Sequence, residues 1–116
     1  MGYQIVDPSD LTTGRGPHPA ASHFEKRVGE AIGLSAFGLY QIELPPGEAT
    51  VAHDHRDDRA EDAYAILRGG GWVVVDGDET PVAPGQYVAV TEESSRYLRA
   101  GSEGMAFIAV CAAPSS

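Results

Sequence analysis

The sequence predicts an all-β domain, a sandwich or closed barrel of short antiparallel strands. Three observations carry this. Fourteen glycines and eight prolines divide 116 residues into short pieces, because both residue types break helical and strand periodicity. The pieces between them are rich in β-branched and aromatic residues and recur at spacings of roughly 8–12 residues. Only one window, HFEKRVGEAIG (residues 23–33), has helical spacing, and Gly29 inside it weakens a helix.

The elements follow in chain order. YQIV (residues 3–6) reads as a first strand, and TTGRGPHPAAS (residues 12–22) as a turn-rich loop. SAFGLYQIEL (residues 35–44) is a strand that ends at Pro45-Pro46-Gly47, a turn signal. TVAH continues extended, and DAYAIL is a strand closed by RGGG. WVVVDGDET runs into Asp76-Gly77, and Asp-Gly between β-branched runs signals a hairpin. QYVAVT, RYLRA, a GSEG turn and MAFIAVCA complete the chain. The expected total is about eight or nine strands. Residues 1–34 are expected to form an N-terminal strand and loop segment of the same domain, and residues 35–116 the barrel.

Charge narrows the partners. Net charge is −9 and the isoelectric point about 4.6, so a phosphate backbone is repelled and nucleic acid is not an expected partner. With 42% hydrophobic and 22% charged residues the chain is an ordinary globular one. No apolar run approaches the ~20 residues of a membrane span, so no membrane partner is expected. The start lacks a basic stretch followed by an apolar one. The single Cys111 agrees with a reducing compartment, so the expected location is cytoplasmic.

Chemistry concentrates in residues 49–71, ATVAHDHRDDRAEDAYAILRGGG. Residues i and i+2 of a strand share a face. His53 and His55 therefore project to one side of an extended VAHDH and can share a metal ion, with a carboxylate from the next strand as a third ligand. In that strand Asp62, Tyr64 and Ile66 share one face; Glu61, Ala63, Ala65 and Leu67 share the other. The bulk of Tyr64 and Ile66 favours Asp62 as the inward carboxylate, and Leu67 favours Glu61, so both remain candidates.

These residues resemble the cupin superfamily. Its first motif has a glycine, five residues, His-x-His, a short gap, Glu, six residues and a glycine. Here Gly47, His53-Asp54-His55, Asp62 and Gly69 follow that order, with Asp in place of Glu. The gap from His55 to Asp62 is six residues, longer than the family's. The second motif is a Pro-Gly turn, a strand, then His, three residues and Asn. Pro84-Gly85 and QYVAVT match its first half, and the histidine and asparagine positions fall on Arg96 and Ala100. The resemblance covers residues 36–112. It implies a small antiparallel barrel or jelly roll, a homodimer, a small-molecule ligand and a divalent ion (Fe, Mn, Ni or Zn) on His53, His55 and Asp62 or Glu61. Arg96 replaces the family's third histidine. Arginine stays protonated and cannot ligate, so the ligand set is reduced.

If that alignment holds, Arg96 and Leu98 face the pocket together and Arg96 pairs with a carboxylate or grips an anionic ligand. Tyr64 is a candidate for orienting a ligand. Tyr64, Tyr87, Trp72 and Phe107 are otherwise expected in the core, and Cys111 as a buried, inert thiol. Two functions compete. One is a metal-dependent cupin of oxygenase or isomerase type. The other is a non-catalytic binding or sensing cupin that has lost its metal.

Overall fold

The computed structural model describes residues 2–14 and 22–114. Two long strands organise it: β3 (Glu61–Val75) and β6 (Arg96–Ala112). They pair antiparallel from Glu61 opposite Ala112 to Val75 opposite Arg96. Each of the two strands serves two layers. The first half of β3 and the second half of β6 are flanked by β5 (Tyr87–Val90) on one side and β2 (Gly38–Leu44) on the other, with β1 (Glu25–Lys26) at the edge. The second half of β3 and the first half of β6 are flanked by β4 (Asp78–Val82) and by residues 49–53, which bridge to β6 at Ala49–Arg99 and His53–Arg96. The result is an antiparallel jelly roll, as the sequence predicts. A single-turn helix, α1 (Val28–Ala31), packs on β2.

Glycines make the shared strands possible. Gly69, at φ +71°, would place a Cβ 2.1 Å from the Gly104 carbonyl oxygen, and Gly71 would place one 2.0 Å from that of Arg99. Any side chain there forces β3 and β6 apart. Register shifts fall at these positions, between Ile66 and Arg68 and between Gly69 and Gly71. Bulges of this kind bend a strand and change which parity faces inward. The core-facing residues show the change: Asp62, Tyr64 and Ile66 before the glycines, Val73 after them; Arg96, Leu98 and Ala100 at one end of β6, Met105, Phe107 and Ala109 at the other, with Val74 and Ala106 buried outside the main core cluster. The two faces meet in one core that includes Ile42, Ile66, Val73, Leu98 and Phe107. Leu98 and Phe107 are each 1% exposed, and burial of such side chains stabilises by roughly 1.5–3 kcal/mol apiece.

Several expectations are corrected. RGGG and GSEG do not end strands. They lie within β3 and β6, because the pairing continues across them, and so fewer and longer strands form than the segmentation implies. YQIV is not a strand: its residues have no ladder partner, and Tyr3 and Ile5 are 80% and 87% exposed. The helical window 23–33 yields only the four residues of α1, and Glu25–Lys26 pairs with β2 instead. Tyr87 is on the outer face and 82% exposed rather than core. Part of the expected loop, residues 15–21, lies outside the described residues. The Asp76-Gly77 turn forms as expected, with φ +49° and +88°, joining β3 to β4 in a two-residue hairpin.

Candidate metal centre and cavity

Four side chains meet at one oxygen, Oδ2 of Asp62. Tyr64 Oη donates to it at 2.9 Å and Arg96 Nη1 at 2.8 Å. His55 Nε2 lies 3.2 Å away and His53 Nε2 3.7 Å away. Asp62 and Tyr64 come from the inward face of β3, two residues apart. Arg96 comes from the start of β6. His53 is fixed by a reciprocal backbone pair, its N–H donating to the Arg96 carbonyl at 3.1 Å and the Arg96 N–H to the His53 carbonyl at 2.8 Å. The His55 N–H donates to the Glu92 carbonyl. The two imidazoles stand edge to face, centroids 4.8 Å apart. One ligand atom from each of His53, His55 and Asp62 lies within 4.8 Å of the others.

The far nitrogens of both rings are also held. His53 Nδ1 is 2.8 Å from the Val51 carbonyl oxygen and His55 Nδ1 3.0 Å from the Asp58 carboxylate. A carbonyl and a carboxylate only accept, so both Nδ1 atoms carry their protons. In neutral rings, both Nε2 atoms then present lone pairs to a carboxylate oxygen. A proton on a ring or a metal ion relieves acceptors so arranged, beside the Tyr64 and Arg96 donors that already meet the same oxygen. A metal-ligating histidine has this outer pattern as a rule. Asp58 comes from the six residues between His55 and Asp62. That loop turns back through Arg59, whose N–H donates to the His55 carbonyl at 2.7 Å. The longer gap thus supplies the acceptor for His55. Sequence reasoning passed over Asp58 and Val51; the only signal was an acidic residue three positions after a histidine.

Electrostatics at the cluster centre on Asp62. Its carboxyl is held down at about 2, from an ordinary 3.8. Burial opposes this, and His53, His55, Tyr64 and Arg96 outweigh it. His53 is raised above its ordinary 6.5, chiefly by Asp62. Burial and the neighbouring carboxylate drive Tyr64 well upward. Cys111 is pushed up to about 12 by burial and by Asp62. Its thiol is half-buried rather than buried and stays protonated, hence inert at neutral pH.

Of the two carboxylates left open by the sequence, Asp62 is inward, 6% exposed. Glu61 is exposed on the opposite face, opposite Ala112, because i and i+1 of a strand point apart. Arg96 is fully buried. Nη1 meets Asp62, Nη2 donates to the Thr91 carbonyl, and Nε has no partner among the described residues. Arg96 does not reach the cavity: it stands behind Asp62, and Leu98 is core. Both were expected beside a ligand. Tyr64 does line the cavity, its ring edge-to-face with Phe107 at 5.7 Å.

In front of the cluster lies a cavity of about 130 Å³. Tyr40, Ile42, Phe107 and Ala109 form its apolar walls; Ser22, Glu25, Thr50 and Asp58 are its other polar groups. A void of this size takes a molecule about as large as one benzene ring.

The donor set fits an ion: two imidazoles with fixed outer protons and one carboxylate. Arg96 works against it, since a guanidinium on the ligating oxygen opposes a second cation.

No protein-family model matches the sequence, and no curated protein matches significantly. The fold has many counterparts among solved structures. A cupin protein from Bacteroides fragilis is 19% identical with TM-score 0.77, covering 100% of this chain and 88% of that one. A sugar phosphate isomerase from a cupin superfamily, from Silicibacter pomeroyi, is 22% identical with TM-score 0.79, covering 96% and 76%. A putative sugar phosphate isomerase from Acidithiobacillus ferrooxidans is 23% identical with TM-score 0.71, covering 89% and 69%. The chain therefore has the cupin fold. No helix among the described residues is long and apolar enough to cross a membrane.

Proposed function

We propose that this protein is a metal-binding cupin whose cavity takes a small molecule beside a divalent ion held by His53, His55 and Asp62. One observation carries the reading. Both imidazoles have Nδ1–H committed to an acceptor, and both Nε2 atoms converge on a single carboxylate oxygen. Two histidines and one carboxylate leave coordination positions open, and such sets serve iron, manganese, nickel and zinc. When bound, the ion supplies Lewis-acid polarisation of a ligand oxygen, the setting for oxygenase or isomerase chemistry. The protein's own part is to hold the imidazoles in one tautomer, to keep Asp62 ionised through Arg96 and Tyr64, and to enclose the ligand between Tyr40, Tyr64 and Phe107.

A second reading has its own support. Arg96 already neutralises Asp62, so the barrel is electrically complete without a metal, as in a non-catalytic binding cupin. Elemental analysis of protein purified without a histidine tag separates the two. The metal reading expects substoichiometric metal that rises toward one ion per chain on soaking with iron, manganese, nickel or zinc. A content near zero that does not rise decides for the metal-free binding domain.

A further inference from the structure

The cavity's charge is one-sided. Among its described lining residues three are carboxylates, Glu25, Asp58 and Asp62, and none is lysine or arginine. Two of the three are answered. Asp62 meets Arg96 and Tyr64, and Asp58 meets His55. Glu25 is met by less: the Ser22 backbone N–H donates to its carboxylate and Arg27 acts on it at longer range, but no side chain among the described residues hydrogen-bonds it. Its direction is fixed by register. Glu25 pairs with Ile42 across β1 and β2, directly opposed residues share a face, and Ile42 is a core residue lining the cavity. Glu25 therefore points inward, on the β1–β2 edge, while its neighbour Lys26 pairs with Glu43 at 3.2 Å. Burial raises the Glu25 carboxyl against the Ser22 N–H and Arg27, and burial, with Glu25 second, raises Tyr40. A half-buried carboxylate with no cation in contact is stabilised by one that a ligand brings.

We propose that Glu25 selects the ligand: the cavity takes a one-ring-sized molecule that carries a primary amine, its ammonium on Glu25 and its apolar body between Tyr40, Tyr64 and Phe107, and it rejects phosphate esters. The inference rests on the cavity being the ligand site of the proposed function. It separates this chain from the two structural neighbours called sugar phosphate isomerases. From the protein a phosphate needs arginine, lysine or a helix N-terminus, so its rejection is read on the zinc-free protein, where no metal ion takes a phosphate oxygen. The buried Arg96 is already spent on Asp62, and α1 is a single turn.

The test uses three probes of one shape: benzylamine, benzyl alcohol and benzyl phosphate. Each is titrated into the full chain by calorimetry, with and without zinc, and the contact is mapped by ring-proton shifts of Tyr64 and Phe107. Benzylamine is expected to bind at least fivefold more tightly than the alcohol, the gain of a charge-assisted hydrogen bond in a partly wet site, and the phosphate most weakly. Glu25→Gln should erase the amine preference while leaving the alcohol unchanged, and Glu25→Lys should reverse it toward the phosphate. A phosphate that binds zinc-free wild type as well as the amine overturns the inference, as does an amine preference that survives Glu25→Gln. Failure of all three probes to bind while zinc still binds overturns the inference alone; failure of probes and zinc together overturns the proposed function as well.

Discussion

Asp62 is approached from two sides, and the sides obey different chemistry. On the His53/His55 side, two rings with fixed outer protons aim lone pairs at the carboxylate. On the Arg96 side, a fully buried guanidinium donates to the same oxygen at 2.8 Å. The first side calls for a cation. The second has already provided one, at the place where the cupin resemblance expects a third histidine. One carboxylate thus faces a histidine pair with which it could hold an ion and is also the counter-ion of the arginine. The contrast sets a histidine pair with its outer partners beside a guanidinium that opposes a second cation.

Removing the shared partner breaks both sides at once and has the largest expected effect. Asp62→Ala leaves Arg96 buried without an anion, which costs about 3–5 kcal/mol. Urea denaturation reads it as a lowered midpoint. A loss below 1 kcal/mol would mean that the pair is not closed in solution.

Acid and alkali probe the sides separately. Asp62 is depressed to about 2 from 3.8, so its stabilisation is complete above 3.8 and is lost as pH falls through about 2. The span is worth about 2 kcal/mol. His53 is shifted the other way, above 6.5. Its contribution is complete below 6.5 and is lost as pH rises through its folded value. Metal-free protein is therefore expected to lose stability on both flanks in a urea series across pH. Asp62→Asn should remove the acid flank; an acid flank unchanged in that variant would assign it to other carboxylates.

Tyr64→Phe sharpens the contrast without touching either cation. It removes the 2.9 Å hydrogen bond to Asp62 and keeps the ring against Phe107. The expected cost is about 1–2 kcal/mol in thermal or urea unfolding, with β-structure intact by circular dichroism. A neutral outcome would mean that water replaces the hydroxyl.

The sequence made parts of this plain because strand parity is a strong rule. Asp62, Tyr64 and Ile66 share a face as alternation requires, and so do Arg96 and Leu98. Parity alone did not choose between Asp62 and Glu61, since Tyr64, Ile66 and Leu67 are all apolar. Burial chose: Leu67 is 41% exposed. The strand count was misread because glycine is ambiguous. It ends strands in turns, but at Gly69 and Gly71 it lets two backbones touch, and only the pairing partner distinguishes the cases. YQIV has strand composition but no ladder partner. Asp58 and Glu25 are hard to read for a related reason. Glu25 faces the cavity through a strand partner distant in the chain, and the contact of Asp58 with His55 depends on a bent loop that an i, i+3 spacing only hints at.

Arg96 and a metal ion compete for the same carboxylate oxygen in the proposed site. Zinc titration of wild type and Arg96→His, both shown folded by circular dichroism and measured in one buffer at neutral pH, tests it. Arg96→His removes the opposing charge and adds an imidazole facing Asp62. The predicted result is a zinc affinity at least tenfold higher than wild type, about 1.4 kcal/mol. Equal affinities would contradict the account, because Arg96 would then neither oppose an ion nor stand at a ligand position.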